Sequence, residues 1–195
     1  MKRFSYILFT LLFSSISIFA GTYYAAPNGA GDGKGYGTPC GLNKGIECLK
    51  QAGDTLYLLG GQYDLGNTKI SNKNGNENQY IVISGYPGEK AILDFRTTAY
   101  GTRGLQIAET CRYLHIKDLT LRYSGKNNLY NEGSYCLFEH LDIYGSADTG
   151  CQMKKGGHNI IKNVDSHDNF DYQLDKSENL TRCDFGGNAD GFADK

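Results

Sequence analysis

Between Gly104 and Lys195 the apolar positions fall into a pattern written three times and begun a fourth. Short runs with side chains two apart open at Leu105-x-Ile107, Leu129-x-Asn131, Cys151-x-Met153 and Phe192-x-Asp194. After each of the first three comes a longer alternating run: Leu114-x-Ile116-x-x-Leu119-x-Leu121, then Cys136-x-Phe138-x-x-Leu141-x-Ile143, then Asn159-x-Ile161-x-x-Val164-x-Ser166. The longer runs recur at 22 and 23 residues. Period-two alternation predicts strands, and repetition at this spacing predicts a solenoid whose coils bury their apolar sides only by stacking. Ile116, Phe138 and Ile161 should then lie one above another, as should Leu119, Leu141 and Val164. The predicted fold is all-β, a parallel β-helix. A leucine-rich repeat has a similar period, but its Leu and Asn offsets are missing.

Upstream, Thr22 to Ala25 reads as a short strand, and Ala30 to Gly37 as a flexible Gly-rich loop. In that loop Lys34 is followed by Gly35, which does not make a phosphate-binding motif. Leu42 to Ala52 predicts a brief helix closing the first rung. Strands follow at Leu56–Leu59, Tyr80–Ile83 and Ala91–Phe95, with a polar surface loop over Ser71–Gln79. The coil spacing fails once: Cys151 to Phe192 is 41 residues, against 22 and 24 for the two earlier steps. An insertion over Tyr172–Gly187 accounts for the excess, and long excursions on a solenoid gather on one face, often the binding face. It contains Asn179-Leu180-Thr181, a glycosylation sequon in form.

The N-terminus changes the setting. Lys2 and Arg3 precede the uncharged apolar run Phe4–Phe19, with small residues at Ala20 and Gly21, the form of a secretory signal peptide. Residues 1–20 are therefore expected to be removed, leaving 21–195 as one β-helix domain, secreted and not membrane-bound. Cleavage takes two of the 20 cations and none of the 21 acids, for a formal charge of −3, so nucleic acid is not an expected partner. Six cysteines in an exported chain raise the expectation of disulfides, with Cys40 and Cys48 as the favoured pair. Cys136 and Cys151 stand at apolar positions of the repeat, where a free thiol packs like a small hydrophobe.

Catalytic groups on such a fold must lie outside, because side chains fill the bore. Asp165, Asp168 and Asp171 crowd one predicted turn with Ser166, His167 and Asn169, and Asp184, Asp190, Asp194 and Lys195 follow the insertion. By the repeat, Asp190 takes the place of Thr149 one coil earlier and Asn127 before that. Clustered carboxylates suit Ca2+, whereas Asp and Asn in turns also cap their own backbone. Turn capping is favoured for the first three and stands even with metal binding for Asp190. Gly-x-Ser-x-Gly and His-Glu-x-x-His are absent. The four histidines, His115, His140, His158 and His167, fall on different coils, with His115 and His140 facing solvent.

The run Asn163-Val164-Asp165-Ser166-His167-Asp168-Asn169, followed by Asn188-Ala189-Asp190-Gly191-Phe192-Ala193-Asp194-Lys195, resembles the Asn-x-Asp…Asn…Ala-Asp-Gly-Phe-x-x-Lys segment of pectate lyases of polysaccharide lyase family nine. Tyr23 to Gly29, Gly53 to Leu58, and the pair Ile81–Ile83 and Ala91–Phe95 agree more loosely. The resemblance implies a right-handed parallel β-helix, monomeric, that cleaves polygalacturonate of plant cell walls by calcium-assisted β-elimination. It makes Asp190 a Ca2+ ligand. The other ligands, in an Asp-Asp-Gly-x-Asp run, and the base Lys would lie beyond Lys195, which matches the motif's own Lys and not the base. On that reading this chain is an N-terminal portion with no catalytic residue, expected to bind Ca2+ poorly, to cleave nothing by itself and to leave its last rung open. Two alternatives are another carbohydrate enzyme on the same solenoid and a non-catalytic binding or adhesin-like module. Against a galacturonan hydrolase, Gly157-His158-Asn159 does not supply the Gly-His-Gly it would need.

Overall fold

The computed structural model describes residues 19–170, 172–174, 180–183 and 191–194. Strand β1 (Thr22–Ala25) is followed by helix α1 (Leu42–Cys48), β2 (Thr55–Leu58), β3 (Gly61–Asp64) and β4 (Thr68–Ile70). The next coil holds β5 (Ile81–Gly85), β6 (Ala91–Asp94) and β7 (Leu105–Ile107). Then β8 (Leu114–Arg122) and β9 (Leu129–Asn131) form one coil, and β10 (Leu137–Tyr144) and β11 (Cys151–Met153) the next. The last described segments are β12 (Ile160–Lys162), β13 (Asp165–His167), β14 (Tyr172–Leu174), β15 (Leu180–Cys183) and β16 (Phe192–Asp194).

Among the described residues every strand pair but one is parallel. One sheet runs β1-β2-β5-β8-β10-β12, with β3, β6 and β13 joined to it, and the other runs β4-β7-β9-β11-β16. The exception is the antiparallel pair β14–β15, which falls inside the expected insertion. The predicted stacking holds in register for Ile116 with Phe138, Phe138 with Ile161, and Leu119 with Leu141, while Val164, between β12 and β13, packs partly buried against the core outside the paired strands. The row extends upstream through Ile83 and Leu56. Each side chain fully removed from water in this row is worth about 1.5–3 kcal/mol. Ile116 and Phe138 are wholly buried, but Ile161 is 41% exposed, because among the described residues no strand lies beyond β12 in its sheet.

Two polar residues buried in the bore show how their groups are met. Asn131, apolar by pattern and fully buried in fact, receives the Gly133 N–H on its Oδ1 and donates its amide to the Gly133 carbonyl. Tyr63 stacks on Leu93 at the bottom of the bore, its hydroxyl 2.8 Å from the Ala25 carbonyl and 2.9 Å from that of Leu59. Helix α1 caps the first coil with Leu42 and Ile46 buried.

Two expectations are corrected here. Cys40 and Cys48 are not bonded to each other. Cys40 is wholly buried with its Sγ 3.4 Å from the Tyr24 carbonyl, and both thiols are free, as are Cys111, Cys136 and Cys151. The Gly-rich loop is also not a loose excursion. Backbone bonds from Tyr24 N to Gly33 O, Gly31 N to Pro39 O and Gly33 N to Thr38 O pin it to the chain, and a Cβ at Gly31 would overlap the Thr38 carbonyl. Of the expected signal segment, residues 1–20, residues 1–18 lie outside the described residues.

Candidate functional site

The longer strands turn a corner, and this explains the double gap between Ile116 and Leu119. Asp118, His140 and Asn163 occupy that gap on consecutive coils with φ of 56°, 50° and 51°. Residues in this left-handed region kink the strand without ending it, and Asp and Asn reach it at lower cost than most side chains. The three therefore form a ladder on the outer edge. His140 Nδ1 lies 3.4 Å from Asp118 Oδ1, and the Asn163 amide lies 3.0 Å from His140 Nε2. A proton on Nδ1 satisfies both contacts.

Beyond the corner the outer face carries Thr120, Asp142 and Asp165 in register on β8, β10 and β13. Next to them runs Asp94, Arg122, Tyr144 and His167. Asp94 is 2% exposed and holds two cations, Arg122 Nε at 2.8 Å and Arg96 NH2 at 3.1 Å. Arg122 is further placed by Tyr144 OH at 3.1 Å and Gln62 Oε1 at 2.7 Å. His167 stacks on Tyr144 and lies between Asp142 and Asp168, whose hydrogen bonds raise its pKa.

Before the corner, His115 is half-buried and bonded to Glu139 at 3.0 Å, so it does not simply face solvent. Burial lowers its pKa. Glu139 also accepts from Lys162 at 2.7 Å, which holds its carboxyl below the ordinary range. The histidines do not all separate by coil, since His158, stacked on Tyr135, and His167 flank the same one.

Of the expected site residues, Asp165 belongs to strand β13 rather than to a turn. Asp168 follows it with a φ of 45°. Asp171, Asp184, Asp190 and Lys195 lie outside the described residues, and of Asp194 only the backbone is placed, in β16 beside Met153. Asn127 and Thr149, with which Asp190 aligns, are both buried, and the Asn127 amide donates to the Thr149 carbonyl at 2.9 Å. Ser166, at the bore position held by Ile143 one coil earlier, donates to the Gly191 carbonyl at 2.7 Å and so ties β13 to the start of β16. Among the described residues no three carboxylate, imidazole or thiol groups converge on a point that could hold a metal ion. Those residues do not by themselves form a calcium site. The sequence pattern does not reveal the Asp94–Arg122 pair or a cluster of outer tyrosines, because neither carries a local motif.

Stacked parallel coils with a filled apolar bore and charged outer rows define a β-helix. The model of the Pel9A-like, right-handed beta helix region matches residues 23–195, and the chain belongs to that family. It is similar to pectate lyase L of Paenibacillus polymyxa (strain SC2), 32% identical over 197 residues that cover 93% of this chain and 41% of that protein. It is also similar to pectate lyase L of Dickeya chrysanthemi, 26% identical over 184 residues that cover 89% and 41%. The crystal structure of pectate lyase Pel9A matches in fold with a TM-score of 0.70 at 22% identity, over 90% of this chain and 44% of that one. The chain thus spans 41% of the length of these curated relatives.

Proposed function

We propose that these coils are the N-terminal part of a secreted lyase that cleaves polygalacturonate by calcium-assisted β-elimination, with Asp190 as one calcium ligand. The observation that carries this reading is the family match across residues 23–195, which takes in the segment Asn188–Lys195. The geometry is in keeping with it: parallel coils set their outer side chains in rows about 4.8 Å apart along the axis, an extended face suited to a linear polymer. In the reaction the C5 proton of a uronate is removed and the C4–oxygen bond breaks, leaving an unsaturated sugar at the new end. Bound Ca2+ would acidify that proton by withdrawing charge through the adjoining carboxylate. Its remaining ligands and the base are assigned to no residue of Met1–Lys195.

The test uses the protein encoded by the whole gene. With polygalacturonate and Ca2+, ultraviolet absorbance from the conjugated double bond of unsaturated uronides should grow, cease growing on adding a chelator, and grow more slowly in Asp190→Ala, most strongly at limiting Ca2+. New reducing ends without that absorbance would mean hydrolysis, and no cleavage at all would mean a binding module. Either result overturns the proposal.

A further inference from the structure

Four tyrosine rings meet on the outer face of the first coils, at the opposite end of the solenoid from β16. Tyr24 and Tyr57 are register neighbours on β1 and β2, with ring centroids 5.9 Å apart. Tyr86, from the turn after β5, lies 5.5 Å from Tyr57 and 6.2 Å from Tyr24. Tyr36, from the Gly-rich loop, completes the group 5.1 Å from Tyr86 and is 52% exposed. Its hydroxyl donates to Glu89 Oε1 at 2.9 Å, and the other oxygen of that carboxylate accepts the Gly60 N–H. Four separate segments thus converge on a surface that the core does not use, since the bore is filled from the other side of these strands by Ala25, Leu56 and Leu58. The loop needs its glycines to lie flat against Thr38–Cys40, and what it presents outward is Tyr36.

We propose that Tyr24, Tyr36, Tyr57 and Tyr86 form a polysaccharide-binding platform for an acidic chain, a subsite remote from Asp190. It rests on the lyase reading for the identity of that polymer. An aromatic face carries partial negative charge and attracts the C–H hydrogens on the flat side of a pyranose ring, while tyrosine hydroxyls and sugar hydroxyls remain in water. Exposed Lys34 and Lys90 border it in sequence, alongside the Asp32 and Glu89 carboxylates, which keep their charge while accepting hydrogen bonds from Lys34 N, the Thr38 hydroxyl, the Tyr36 hydroxyl and Gly60 N. The outer row that begins Tyr24, Tyr57 continues in register through Ser84, Lys117, Glu139 and Lys162. At one strand per step that row is about 24 Å long. A polymer lying along the axis meets aromatic rings first and then a mixed charged row, in which Lys117 pairs with Asp118 and Lys162 with Glu139.

Binding is measured on the purified protein in chelator, where no turnover occurs, against polygalacturonate and its short oligomers. Tyr36→Ala and the double variant with Tyr86→Ala should weaken retention of the long polymer about tenfold, as loss of an aromatic sugar contact would. Short-oligomer binding and the thermal midpoint should stay unchanged. Because Tyr36 sits in an exposed loop, its single variant decides the outcome should the double variant misfold. Unchanged retention of long polymer by Tyr36→Ala, or equal retention of a neutral galactan by the wild type, overturns the platform. If unsaturated uronides are still released in that case, the lyase reading survives. If no release is seen but tyrosine-dependent retention is, the platform survives and the lyase reading falls.

Discussion

His167 reaches back one coil to Asp142, with Nε2 3.1 Å from Oδ1, while its Nδ1 faces Asp168 Oδ2 at 2.9 Å. A carboxylate only accepts, so both contacts are hydrogen bonds only when the ring carries both protons. Asp165 on its own strand adds to the negative field, and Tyr144 on β10 covers one ring face. The folded pKa is therefore above the ordinary 6.5. The stabilisation is fully present below that unfolded value and is lost as pH rises through the folded one. Both side chains of the Asp142 pair are 42% exposed, so its contribution is below about 1 kcal/mol. His167→Gln should flatten the pH dependence of the thermal midpoint above pH 6.5, and a variant whose slope matches the wild type would remove this assignment.

Core position and stack position should separate in unfolding experiments. Phe138 fills the bore with neighbours above and below, so Phe138→Ala is expected to cost about 3–5 kcal/mol in urea unfolding. Ile161→Ala, at a site already 41% exposed, should cost less than about 1 kcal/mol. Equal losses would mean that Ile161 is covered in solution.

Gly85 approaches the corner ladder so closely that a Cβ there would overlap the Asp118 carbonyl oxygen. Backbone cannot yield as a side-chain tip can, and Gly85→Ala should destabilise by about 1–3 kcal/mol. Gly66, with nothing within 4 Å of an added Cβ, is the control, and Gly66→Ala should stay within about 0.5 kcal/mol of wild type.

Thiol reactivity should follow burial. Desolvation raises Cys136 to about 11 and Cys151 to about 12, and the thiolate is the reactive form. In mildly alkaline iodoacetamide the half-buried Cys48 should be alkylated well before these two, as read by peptide mass spectrometry. Comparable rates at Cys48 and Cys151 would contradict the placement of Cys151 in the bore.

Alternation along a strand is a local property, so the positions of β7 to β11 and the stacking of Ile116 on Phe138 were legible in the chain itself. A 22-residue repeat of apolar positions also sufficed to imply parallel coils, because no other arrangement buries a single rung. What lay beyond reach were contacts between residues that share no local signal. The double gap within each long run was visible, but only the left-handed backbone at Asp118, His140 and Asn163 shows that it is a corner with a side-chain ladder on it. The short Cys40–Cys48 separation suggested a bond, yet the direction of the Cys40 side chain, set by the packing of the loop over β1, leaves both thiols free. The convergence of Tyr24, Tyr36, Tyr57 and Tyr86, and the approach of Asp142 to His167, come from coils laid side by side. Sequence separation carries no record of such neighbours, because stacking, not spacing along the chain, brings them together.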